Sequence, residues 1–181
     1  MESEEYTHLA YVGRVKENRM LTRLMPEQVS RLWDIIKYAI VQSVPPISGE
    51  HPDKLNRILS AALCGKIDVW ASYIKGEVNK FEGIAITEVI YDDVTGIRNL
   101  LLYSIYSYID EEKVKPSTYV NGLISLAKYA KSLRCSNVIA YAQKEGIVAL
   151  AKRLGGDTSF TLVSFDVDKI VQKLNDLEGG E

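Results

Sequence analysis

The sequence predicts an α/β domain built on one mixed, mostly antiparallel sheet with helices on both faces. Three observations carry that expectation. Residues 26–43 and 53–64 place apolar side chains at helical spacing, and residues 67–108 hold three β-rich runs joined by short turns. Residues 119–167 then alternate helix, strand, helix and strand. Hairpins followed by such alternation make a mixed sheet that needs cover on both sides.

Residues 1–5 and 178–181 read as frayed tails around a single domain spanning the chain, which at 181 residues can bury a sizeable core. A first strand is expected over 6–15, where YTHLAYVGRV mixes aromatic and β-branched residues, and 16–25 reads as a charged connection. Pro26 and Glu27 suit a first helical turn. Val29, Leu32, Trp33, Ile36 and Ile40 then form one stripe, and Pro45-Pro46 stops the helix. Asp53 begins a second helix, with Leu55, Ile58, Leu59, Ala62 and Leu63 inward and Gly65 closing it.

Strands are expected at 67–75, 81–91 and 97–108, linked by Gly- and Asp-bearing turns that make antiparallel hairpins. The run Leu100 to Leu102 is apolar on both faces, as in a covered central strand. After the loop IDEEKVKPST, a helix is expected from about Tyr119 with Val120, Leu123, Ile124, Ala127 and Ala130 inward. Lys128, Lys131 and Arg134 line its solvated side. A short buried strand over 137–142, a helix stopped by Gly155-Gly156, a strand over 158–167 and a terminal helix complete the order.

Composition narrows the function classes. Hydrophobic residues make up 46% and charged residues 25%, and the net charge of −2 argues against a surface dominated by nucleic-acid phosphate contacts. No apolar run approaches the roughly 18–20 residues that span a bilayer. The acidic opening MESEEYTH is unlike a targeting leader, and the two distant cysteines, Cys64 and Cys135, suggest a reducing, intracellular setting. Zinc-ligand spacings and a G-x-S-x-G elbow are both missing, and the only histidines, His8 and His51, have no catalytic company nearby. Tyr103, Tyr106 and Tyr108 read either as an aromatic wall for a ligand or as strand-favouring packing residues.

The element order, the run AKYAKSLRCSNVIAYA and the ending VALAKRLGG together resemble the GNAT superfamily of N-acetyltransferases, and such divergent members are also similar to bacteriophage proteins. The resemblance implies acetyl-CoA or another acyl-CoA held between the fourth and fifth strands, its pyrophosphate on a glycine-bearing loop opening the third helix. The corresponding stretch here is Lys115-Pro116-Ser117-Thr118-Tyr119, with no glycine between Gly96 and Gly122. Lys113 and Lys115 could meet phosphate charge, and Ser117 and Thr118 could cap the helix. Pro116 and Tyr119 would obstruct a backbone cradle, because close approach to phosphate leaves no room for Cβ atoms.

The family's leaving-group tyrosine maps to Ala151, and its strand-four glutamate has no counterpart in 97–108. Glu82 and Glu88, one strand earlier, are the substitute bases if they face the cleft, or else ordinary solvent-facing carboxylates. Two functions follow. One is a GNAT-fold protein with a degenerate acyl-CoA site acting as a binding or assembly module, with a protein partner or a second copy of the chain. The other is an N-acyltransferase with an atypical loop.

Overall fold

A computed structural model describes residues 19–45, 49–109, 116–142 and 145–178. The chain divides into two compact units, residues 1–141 and 142–181.

The first unit is built on a five-stranded sheet in the order β1-β2-β3-β4-β5. Its strands are β1 (Arg19–Arg23), β2 (Ile67–Ile74), β3 (Lys80–Tyr91), β4 (Arg98–Ser107) and β5 (Asn137–Ala140). The first three pairings are antiparallel and β4 pairs with β5 in parallel, so the mixed, mostly antiparallel sheet expected from the sequence is present. The expected first strand at 6–15 lies outside the described residues. Within the stretch read as a charged connection, 19–23 is instead a strand, because the edge of β2 gives this short polar run a ladder that its own pattern does not announce.

Helices cover both faces. On one lie α1 (Pro26–Arg31), α2 (Trp33–Ser43) and α3 (Lys54–Leu63). The helix expected from Pro26 to the prolines is thus two, broken at Leu32, while the stripe Val29, Ile36 and Ile40 is buried as its spacing requires. These residues pack on Val69, Ala71, Ile84 and Ile86 of the sheet. Pro26 opens α1, and the Gln28 side chain accepts from the Met25 N–H at 2.8 Å, satisfying one of the donors that a helix start leaves over.

The other face carries α4 (Pro116–Ser132), whose Leu126 and Ala130 pack on Trp70, Ala85 and Leu100, with Tyr129 beside them. This corrects the inward stripe read from the sequence. Leu123, Ile124 and Ala127 are exposed, because α4 carries two apolar faces and the ring of Trp70 meets the one bearing Tyr129, 4.9 Å away edge to face. The Tyr129 hydroxyl donates to Asp68 Oδ2 at 2.7 Å and accepts from Arg23 at 3.0 Å, tying α4 to β2 and β1.

β5 is an edge strand with Ile139 exposed, so it lacks the burial expected of 137–142. In the second unit lie α5 (Glu145–Arg153) and α6 (Val167–Glu178). Gly155 turns the chain after α5 with φ +80°, a conformation open to glycine at no steric cost. The strand expected at 158–167 is absent. Residues 157–166 have no regular structure, and Phe160 is 83% exposed, since alternation supplies a strand's pattern but not the neighbouring ladder that makes it one.

Candidate functional site

The site is built from the second half of β4. The parallel ladder joins Asn99–Leu102 to Asn137–Ala140 and goes no further, while β4 itself runs on to Ser107. Over residues 103–107, no described strand pairs with β4 on the β5 side. The departure coincides with a bulge. Ile86 pairs with Ser104 and Thr87 with Leu102, so Tyr103 is the extra residue. Bulges bend the strand and end pairing; past Tyr103, β4 keeps its ladder with β3, and its alternate backbone N–H and C=O groups point to the side where no described strand lies.

Past Ile109 the described chain resumes at Pro116, the first residue of α4. The helix thus starts at Pro116, not at Tyr119, with proline in the position where its missing N–H costs no ladder bond. A 17-residue helix directs partial positive charge toward this start. Ser117 and Thr118 fall in its first turn and Tyr119 is half-buried, while Lys113 and Lys115 lie outside the described residues.

The face of β4 toward α2 is aromatic beyond the bulge. Tyr106 and Tyr108 meet edge to face at 4.9 Å, Tyr38 of α2 contacts both, and Phe81 lies 5.2 Å from Tyr108. The Tyr108 hydroxyl donates to the Ile35 carbonyl at 2.6 Å, which fastens α2 to the end of the strand. A hydrogen bond with Tyr38 raises the Tyr106 phenol above its ordinary range, and burial does the same to Tyr108. Both stay protonated at neutral pH, and the Tyr108 proton is the one given to Ile35.

The two substitute glutamates are not brought together. Glu88 is half-buried opposite Leu101, in the paired half of β4. Glu82 is 2% exposed, so it is not the solvent-facing carboxylate of the bland alternative. Both its oxygens accept from Arg19 Nε, at 3.2 and 3.0 Å. Arg19, the partner of Glu82, is not among the residues the sequence singles out for the site. Its only sequence signal was membership of a basic stretch, and the pairing spans 63 positions and crosses β2.

No protein-family model and no curated protein matches the chain. Solved structures do match. An aminoglycoside acetyltransferase from an uncultured soil metagenomic sample, in complex with sisomicin, superposes with TM-score 0.60 and 11% identity, over 82% of this chain and 95% of that one. A predicted acetyltransferase from Clostridium acetobutylicum with acetyl-CoA gives TM-score 0.57 and 17% identity, over 83% and 97%. A ribosomal-protein-alanine N-acetyltransferase from Brucella melitensis biovar Abortus 2308 gives 0.55 and 14%, over 82% and 98%.

The chain has the GNAT acetyltransferase fold. β4 runs on past the end of its ladder with β5, the strand from which the resemblance expects the fourth to splay. Ala151, where the resemblance places a tyrosine, lies on α5, and its carbonyl accepts from the Gly156 N–H at 2.8 Å. Among the described residues no group of acidic, histidine or cysteine side chains could hold a metal. His51 accepts from the Asp53 N–H at 3.0 Å, a turn contact. No described helix is long and apolar enough to cross a membrane.

Proposed function

We propose that this GNAT-fold chain binds acyl-CoA along the open edge of β4 and serves as a binding or assembly module, without the chemistry of acyl transfer. The overhang at 103–107 carries the reading. The pantetheine arm of CoA is an extended chain with two amides, and a strand edge offers the same alternating donors and acceptors that bind a peptide by strand addition. The start of α4 adds a favourable dipole for the pyrophosphate.

The chemistry of transfer has weaker support. Glu82 is buried and held by Arg19, Glu88 pairs in register with the far half of β4, and Ala151 has no proton to give. A second reading, a transferase that relies on positioning, draws on the Tyr38 and Tyr106 hydroxyls on the α2 face of the same half-strand and on the large rate effect of proximity alone.

Calorimetric titration with acetyl-CoA and desulfo-CoA tests the binding. Micromolar affinity for both, weakened by Lys115→Ala or Ser117→Ala, is the expected result, and no binding at millimolar ligand would overturn it. Release of free CoA in the presence of a panel of amines, above the rate without protein, would replace the module with the transferase.

A further inference from the structure

Residues 103–107 of β4 have a described partner strand on one side only, so their conformation depends on β3. At that place β3 is unusual in two adjacent residues. Tyr73 pairs with Phe81 and Ser72 with Gly83, which makes Glu82 an extra residue bulged out of the ladder. A Cβ on Gly83 would lie 2.4 Å from the Tyr106 carbonyl oxygen, so β3 and β4 approach here more closely than any side-chain-bearing residue permits. The Glu82 carbonyl then accepts from the Tyr108 N–H at 2.8 Å, just past the end of β4.

A bulge that points a carboxylate into the protein is stable only if the charge is met. Left alone, the side chain would turn out to water and take its backbone with it. Arg19 meets it, and Arg19 is the first residue of β1, two strands away. Glu82 therefore joins β1 through its side chain and the end of β4 through its backbone.

We propose that the Arg19–Glu82 ion pair is a positioning device for the open edge: it holds the Glu82-Gly83 bulge, seats residues 104–108 against it, and so sets the affinity for acyl-CoA. The ligand half of this statement rests on the acyl-CoA reading above. The Glu82 carboxylate is on this account a clamp for the backbone and not a base for the amine.

The test uses the full chain with Glu82→Gln, which keeps the shape and removes the charge, and Arg19→Lys, which keeps the charge and removes the planar guanidinium. Two measurements are made: acetyl-CoA affinity by calorimetry and amide hydrogen exchange along the sheet. Glu82→Gln is expected to weaken acetyl-CoA roughly tenfold, the equivalent of one misaligned backbone hydrogen bond or two. It is also expected to speed exchange at 105–108 while leaving 69–71 and 100–101 at wild-type rates. Arg19→Lys moves both readouts the same way by less, and carries the test alone if Glu82→Gln does not fold. Equal affinity in all three proteins overturns the positioning role and leaves the acyl-CoA reading standing. Wild-type protein that ignores acetyl-CoA removes that reading and the ligand half of this one, and the exchange pattern then decides the seating. Exchange that rises evenly over the whole sheet, or nowhere, overturns the seating.

Discussion

Residues 98–102 and 103–107 belong to one strand and meet different surroundings. The first half lies between β3 and β5, with Leu100 fully buried under α4. Among the described strands the second half has β3 alone, and Ile105, on the α4 face, is 47% exposed. The sequence changes with the surroundings, from an unbroken Leu run to alternating Ser, Ile and Tyr. The paired half supplies stability through buried apolar area, and the overhanging half presents backbone and hydroxyl groups. On the proposed reading, a single strand is scaffold at one end and binding edge at the other.

The largest expected contrast comes from truncating each half in turn. Leu100→Ala should cost about 2–5 kcal/mol in urea unfolding, through lost burial and the cavity left behind. Ile105→Ala should fall within about 0.5 kcal/mol of wild type, as surface changes do. Equal losses would break the distinction. Gly83→Ala comes next. Its Cβ would meet a backbone oxygen, which cannot swing aside, so a loss of about 1–3 kcal/mol is expected, with acetyl-CoA binding impaired further than stability alone explains.

Tyr129→Phe probes the tie that holds α4 over the paired half, and should cost about 1 kcal/mol. Its pH dependence has a definite sign. Burial, then the bond to Asp68, raises the Tyr129 phenol, so the fold prefers the neutral form. The hydroxyl's contribution is present below the ordinary tyrosine range near pH 10 and is lost as pH rises through the raised value. The gap between wild type and Tyr129→Phe should close in that window.

Asp92→Ala, in the turn that feeds the paired half, should have the smallest effect. Donation from the Thr95 hydroxyl, then from the Val94 and Thr95 N–H groups, lowers the Asp92 carboxyl. Its contribution is present above the ordinary carboxylate range and lost as pH falls through the lowered value. A small Tm deficit at pH 7 that shrinks as pH falls below the ordinary carboxylate range is the expected reading.

Much of the fold was legible because local patterns carried it. The stripe Val29, Ile36 and Ile40 has one apolar side to bury, and the turns at Gly76 and Asp92–Gly96 allow only hairpins. The site was legible in part. Glu82 was one of two acids that could serve if they faced the cleft, and its pairing with Arg19 was not legible, because Arg19 is 63 residues away and looks like any surface base.

Amino-acid order by itself determined which stretches are helical, apart from their breaks and ends, and the antiparallel core, through spacing within a few residues, and the resemblance to an acetyltransferase through the order of elements. Tertiary structure decided which of two apolar faces α4 buries, that 19–23 is a strand and 158–167 is not, and where β4 leaves β5. Those outcomes depend on ladders and rings contributed by distant parts of the chain. No local pattern states whether a neighbour will be there.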